Sequence, residues 1–248
     1  MALETNLIAK LPRRISPCPI NEAILEIRFQ TRPDFLGGAV FGLLYKEFRN
    51  QYRDVQKQPV LQIPEQMRTN DPGLMYLPEY HLTGGPFKLL IGQRVLSVVV
   101  AGEYSGWPAF LVRVEEVLEA VRSLEFIDRL ERLGLRYINV FDFDIFDHST
   151  LALIHGGAPL ETRSTRIVSR IEADAFEHTL TVANGLKVRN ENDVIGESII
   201  DIDTATSTGL EGFFDSPRSV LEEAHNREKK LFFSLLRPEY IDSLNPEY

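Results

Sequence analysis

The sequence predicts an α+β fold with a mainly antiparallel sheet and long helices packed on one face. Three observations lead there. The stretch Arg132 to Asp144, R-L-G-L-R-Y-I-N-V-F-D-F-D, reads as a long strand with apolar residues on both faces, as expected of a central strand whose second face is partly covered. The other strand-like runs come in groups and do not alternate one by one with helices, which argues against repeated βαβ units. A long helix is expected after each group, at 105–124 and at 216–236.

Residues 1–21 read as an arm, with three prolines and no sustained period. Glu22 to Phe29, E-A-I-L-E-I-R-F, then alternates strictly. Ala23, Leu25, Ile27 and Phe29 form an apolar face, and Glu22, Ile24, Glu26 and Arg28 a largely charged one, the pattern of a half-buried strand. Pro33 and Asp34 are expected to open a helix to about Arg53, with Asp34 as N-cap and Leu36, Val40, Leu43, Leu44 and Phe48 as its buried stripe. Gly37, Gly38 and Gly42 each cost such a helix roughly 1 kcal/mol relative to alanine, which points to close packing on a sheet. Neither G-x-G-x-x-G nor a terminal G-K-[S/T] is present, so no phosphate-cradling turn is read there.

From 55 to 101 the runs P-V-L-Q-I-P, G-L-M-Y-L-P-E-Y-H-L, F-K-L-L-I-G and R-V-L-S-V-V-V-A-G read as strands, punctuated at Gly84-Gly85-Pro86 and Gly92-Gln93. Ser105 is expected to cap the next helix, on which Trp107, Phe110, Leu111, Val114, Val117 and Val121 keep helical spacing. In the central stretch the odd positions, Leu133, Leu135, Tyr137, Asn139, Phe141 and Phe143, are the more apolar and should face the core. The even face carries Arg136 at one side and Asp142 and Asp144 at the far end.

Residues 145–162 read as irregular or as a short helix from Ser149 to His155. Strands are expected at 165–176, at H-T-L-T-V-A-N-G-L-K-V with an Asn184-Gly185 turn, and at 197–206. Ser216-Pro217 opens the last helix and Pro238 ends it, leaving a tail. The order strand, helix, strands, helix occurs twice, which suggests pseudo-repeated halves at 22–125 and 132–236 within a single unit, 1–248.

Hydrophobic residues make up 44% and charged residues 25% of the 248, enough for a sizeable core and too little charge for disorder. The net charge of −9 argues against broad binding to a nucleic-acid backbone, which needs excess lysine and arginine. One cysteine, Cys18, allows no intrachain disulfide and no cysteine-based zinc site, and its place between Pro17 and Pro19 reads as an inert thiol in an extended arm. No window approaches the roughly 18 apolar residues of a membrane span, and no apolar segment follows the basic residues near the N-terminus. The expectation is a soluble, cytoplasmic protein without a membrane partner.

Three pieces stand out together: P-C-P-I-N-E-A-I-L-E-I-R-F at 17–29, Y-S-G-W-P-A-F at 104–110, and R-L-G-L-R-Y-I-N at 132–139. They resemble a sporadically distributed bacterial protein family that has no established activity, in which a Pro-rich entry leads to E-A-I-x-E-I-R-F. D-I-D-T at 201–204 and the helix carrying His225 and Phe232 are also similar. Cys18 departs from the pattern, where proline is commoner. The resemblance spans nearly the whole chain and implies a single full-length unit. It brings no activity, cofactor or catalytic residue with it.

The charges opposite the apolar faces supply the candidate site. Arg28 and Arg136 suit a carboxylate or phosphate because a guanidinium donates two parallel hydrogen bonds; Glu26 lies beside them and Asn139 at the edge. The plain alternative for such a face is a set of solvated cross-strand ion pairs. Asp142, Asp144, Asp147 and His148, in D-F-D-I-F-D-H, are oxygen-rich enough to consider a divalent cation, but their spacing matches no metal loop. No catalytic motif accompanies His225, and Trp107 reads as a core anchor. The preferred reading is a non-enzymatic module without a cofactor, binding a partner protein or small anionic ligand on a charged sheet face and forming a homodimer. The rival is a metal-dependent hydrolase or transferase built on Asp142, Asp144, Asp201, Asp203 and His225.

Overall fold

The alternation that begins at Glu22 makes the first strand of a nine-stranded sheet. The computed structural model describes residues 10–159, 163–190 and 193–248, so residues 1–9 of the arm lie outside the described residues. In chain order the elements are β1 (Ile20–Thr31), α1 (Val40–Phe48), β2 (Asp54–Lys57), α2 (Glu65–Asn70), β3 (Tyr80–Gly84), β4 (Phe87–Ile91), β5 (Val95–Ala101) and α3 (Trp107–Ser123). There follow β6 (Ile127–Phe141), β7 (Ile154–His155), β8 (Ala158–Pro159), β9 (Arg166–Ala173), β10 (Phe176–Ala183), β11 (Val188–Asn190), β12 (Asp193–Gly196), β13 (Ser198–Thr206), α4 (Pro217–Ser234) and α5 (Pro238–Ser243). The main sheet runs β2-β3-β4-β5-β1-β6-β13-β10-β9, with β7-β8 and β11-β12 as separate two-stranded ribbons. The β1-β5, β2-β3, β3-β4, β4-β5 and β9-β10 pairs are antiparallel. The fold is α+β with a mainly antiparallel sheet.

The chain divides into two compact units, each assembled from separated segments. One holds 22–135 and 205–222; the other holds 1–21, 136–204 and 223–248. In the first, the β1-β5 register sets Ala23 opposite Val100, Leu25 opposite Val98 and Ile27 opposite Leu96. Leu89 and Ile91 of β4 and Leu82 of β3 continue this fully buried face. Each such side chain contributes about 1.5–3 kcal/mol by leaving water. The apolar stripe of α3, from Phe110 to Val121, is buried as its spacing requires. In the second unit the core gathers Phe141, Leu180, Val182, Ile200, Ile202 and Phe232. There the arm is tied to the tail: Ser16 N–H donates to the Leu244 carbonyl at 2.7 Å, and Arg14 bridges Glu247.

The odd face of β6 is buried from Leu133 to Phe141 and the even face is half-buried, as its pattern requires. Several expected boundaries moved. Asp34 does not cap a helix; its carboxylate lies 3.6 Å from Arg32 Nε, and a 3-10 turn over Gly37–Ala39 delays α1 to Val40. Of the expected stripe, Leu36 is 82% exposed. Gly42 has no neighbour where a Cβ would lie, so close packing does not account for it. P-V-L-Q-I-P forms a 3-10 turn, and α2 and turns occupy the stretch expected as strand up to Leu77. Gly106, not Ser105, occupies the N-cap of α3, with φ near 98°. Where a short helix was expected after Ser149, the chain forms the β7-β8 ribbon. Residues 165–176 turn at Asp174, with φ 56°, so Phe176 already belongs to β10. Pro238 opens α5 where a tail was expected.

Candidate functional site

On the charged face of β1, alternation directs Glu26, Arg28 and Gln30 to the side away from Leu25, Ile27 and Phe29. Glu26 Oε1 accepts from Arg28 Nε at 2.7 Å and from Arg132 Nη1 at 2.9 Å. Arg132 reaches it because Gly134 leaves the space above its backbone open: a Cβ there would stand 2.3 Å from Arg132 Nη1. The Arg28 guanidinium lies over the Tyr76 ring, 4.7 Å from its centroid, and Arg94 lies 5.4 Å from the same ring. Tyr76 is thereby set against two cations.

Glu131, near the start of β6, ties the cluster together. It accepts from Tyr76 Oη at 2.8 Å, from Gln30 Nε2 at 2.8 Å and from Arg94 Nη2 at 2.8 and 2.9 Å. Burial alone would raise its carboxyl, but those hydrogen bonds and the Arg94 charge hold it below the usual carboxylate range. The Tyr76 phenol is pushed up by burial and by donating to Glu131. Both carboxylates are therefore committed. Arg28 is not: Glu26 takes its Nε, Tyr76 takes its face, and among the described residues neither Nη has a hydrogen-bond partner. Its side chain is 34% exposed. This is a guanidinium fork fixed at its base and open at its tip. A small cavity of about 10 Å³, lined by Arg94, Met75, Arg68, Glu79 and Gln93, adjoins the cluster at Arg94 and has room for about one water.

The remaining candidates lie in the other unit. Arg136 forms a two-pronged pair with Asp201, Nε to Oδ1 at 2.7 Å and Nη2 to Oδ2 at 2.6 Å. Asn139 is on the opposite face of β6, buried, donating to the Ile200 carbonyl at 3.1 Å; its placement at the edge of the charged face is corrected. Asp144 accepts from Phe146 N–H at 3.0 Å and from Asn184 Nδ2 at 2.6 Å, so it organises a turn. His148 is packed against Phe143 and Tyr240, with ring centroids 4.9 and 4.8 Å away. The Tyr240 phenol is pushed up to about 12 by burial and then by the Asp142 charge. Among the described residues no group of three His, Cys, Asp or Glu side chains is arranged to hold a metal ion, so Asp142, Asp144 and His148 do not assemble.

His225 Nδ1 shares a 3.1 Å hydrogen bond with Tyr137 Oη, and burial lowers it to about 3. One turn on, Glu228 is wholly buried and raised to about 8 by desolvation. Both side chains belong to α4; Glu228 is buried and His225 half-buried.

Sequence reasoning reached Glu26 and Arg28 through alternation but missed Tyr76, Arg94, Gln30 and Glu131. Tyr76 sits in a turn that read as strand, and Arg94 precedes β5 by one residue. The available signal was the concentration of arginine and glutamate next to the two strands carrying the strongest alternation. Among the described residues no helix is long and apolar enough to cross a membrane. No protein-family model matches the chain, and neither does any curated protein.

Proposed function

We propose that the chain is a non-enzymatic binding module that takes a carboxylate or phosphate group, borne by a small ligand or by a partner protein, on the tip of Arg28. The observation that supports this is the open guanidinium fork, held rigid by Glu26 and Tyr76 while the neighbouring carboxylates are occupied. The cluster gathers Arg28, Arg94 and Arg132 around Glu26 and Glu131, in a chain of net charge −9. A fork that is already ordered loses little side-chain entropy on binding. One charge-assisted contact supplies about 1.5–3 kcal/mol, so a bare anion should bind with a dissociation constant of about a millimolar or weaker, and tight binding would need contacts from the rest of the ligand.

The direct test follows the arginine side-chain NH signals by NMR during titration with inorganic phosphate and with acetate. The expected result is a saturable shift of the Arg28 signals, lost in Arg28→Gln. The absence of a saturable shift at any arginine would remove the reading.

Three further statements belong to this proposal. The P-C-P-I-N-E-A-I-L-E-I-R-F, Y-S-G-W-P-A-F and R-L-G-L-R-Y-I-N motifs support membership of the sporadically distributed bacterial family. The pseudo-repeat draws support from the strand order, and long helices on one face belong to the same reading. β1 neighbours β5 and β6 neighbours β13, so the first strand of each half lies beside its last, and each last strand leads to a long helix. The free, exposed thiol of Cys18 suits a reducing cytoplasm.

A further inference from the structure

The strand at one end of the sheet, β9, has a single neighbour among the described residues, β10. It is eight residues long, R-I-V-S-R-I-E-A, and its pairing with β10 runs without a bulge from Ala173 opposite Phe176 to Arg166 opposite Ala183. Such an edge is a template for another strand unless it is blunted. The strand at the other end, β2, is blunted by length, with only four residues, all exposed.

The hydrogen-bond phase of β9 fixes which groups face outward. Asn184 N–H donates to the Thr165 carbonyl at 3.0 Å, one step beyond the Arg166–Ala183 pair and in the same register. Bonded and non-bonded pairs alternate along an antiparallel ladder. Ile167, Ser169 and Ile171 therefore bond to β10, and Arg166, Val168, Arg170 and Glu172 direct their backbone N–H and C=O groups to the open edge. The side chains of these four are exposed, Val168 at 57%.

We propose that this edge pairs antiparallel with the same edge of a second copy of the chain, with Ser169 on the two-fold axis. A two-fold pairing must set outward groups against outward groups. Centred on Ser169, it uses all four outward residues of each copy and places Arg166 opposite Glu172, twice. Val168 then lies opposite Arg170, whose aliphatic stem covers it. On the other side of the ribbon, half-buried Ile167 meets Ile171. Neighbouring registers lose this match. Centring on Val168 sets Arg166 against Arg170, and centring on Arg170 sets that guanidinium against its own copy. R-I-V-S-R-I-E is self-complementary over its whole length only in the Ser169 register, since centring on Ile171 pairs Arg170 with Glu172 but leaves Arg166 and Val168 beyond the ladder. The second copy is the occupant whose charges fit this edge. The contact does not use Arg28 and is independent of the anion-binding reading.

Sedimentation analysis of the full chain tests it. At about 100 μM, above the micromolar dissociation constant expected of a small interface, the wild type should be dimeric. Glu172→Arg, which sets like charges opposite each other, should raise the dissociation constant at least about tenfold. The double exchange Arg166→Glu with Glu172→Arg should restore it, and unchanged circular dichroism would show that each variant folds. In a Cys18→Ser background, Ser169→Cys should form a disulfide-linked dimer on oxidation, because non-bonded antiparallel partners have Cα atoms about 4.5 Å apart. A monomeric wild type, a dimer indifferent to Glu172→Arg, or Ser169→Cys that fails to cross-link would each overturn the proposal.

Discussion

Glu228 and His225 lie on one flank of α4, three residues apart, and both are neutral for the same reason: burial disfavours the charged form. Their effects on stability oppose each other. The folded Glu228 keeps a proton that the unfolded chain releases above about pH 4.5, so stability falls as pH rises from there to about 8. His225, lowered to about 3, refuses a proton that the unfolded chain takes up below about 6.5, so stability falls as pH drops from there to about 3. The two slopes cancel between about pH 4.5 and 6.5, leaving Glu228 alone above that range. Glu228→Gln shares His225 with the wild type, so it should gain melting temperature over it steadily from about pH 4.5 to 8, corresponding to at most about 5 kcal/mol across that range. A difference that is constant with pH would show that Glu228 is ionised in the fold. Neither shift was legible from sequence, because helical spacing alone does not tell which polar residues of α4 lose water; Tyr137, which meets His225, comes from a distant strand.

At the scale of elements, local patterns located what local forces determine. The alternation of β1 and the helical spacing of α3 follow directly from burial of one face, and both elements formed as read. Boundaries failed where two local preferences compete. Asp34 is a good cap residue, but Gly37 and Gly38 follow it and disfavour helix, and the chain begins its α-helix only at Val40. P-V-L-Q-I-P is too short and apolar for periodicity to separate strand from turn, and its flanking prolines decide for a 3-10 turn. The glycines divide on similar grounds. Gly42 is an exposed interior position of α1 with open space around it, so Gly42→Ala should stabilise the protein by about 1 kcal/mol. At Gly84 a Cβ would stand 2.3 Å from the Gln51 backbone carbonyl, and backbone must move to admit it. Gly84→Ala should destabilise by about 1–3 kcal/mol in chemical denaturation. Equal effects at the two positions would contradict the packing described for them.

For the molecule as a whole, the strand order was beyond sequence reading, because nothing local to β1 or β6 states that they are neighbours in the sheet. That is also why the charged face was only half legible. Arg28 and Glu26 could be assigned to a face by parity, but Tyr76, Arg94 and Glu131 come from turns and strand ends far along the chain and meet only in the folded unit. Arg136 shows the other outcome: a similar residue on a similar face, with Asp201 spanning its fork. Arg28→Gln should leave stability within about 1 kcal/mol, since a partly exposed ion pair contributes no more than that. The most direct measurement is the phosphate titration of wild type and Arg28→Gln, followed at the arginine side-chain signals. The account predicts saturable movement of Arg28 with a dissociation constant of about a millimolar or weaker, absent in the variant at unchanged stability. Identical titrations of the two proteins would contradict it.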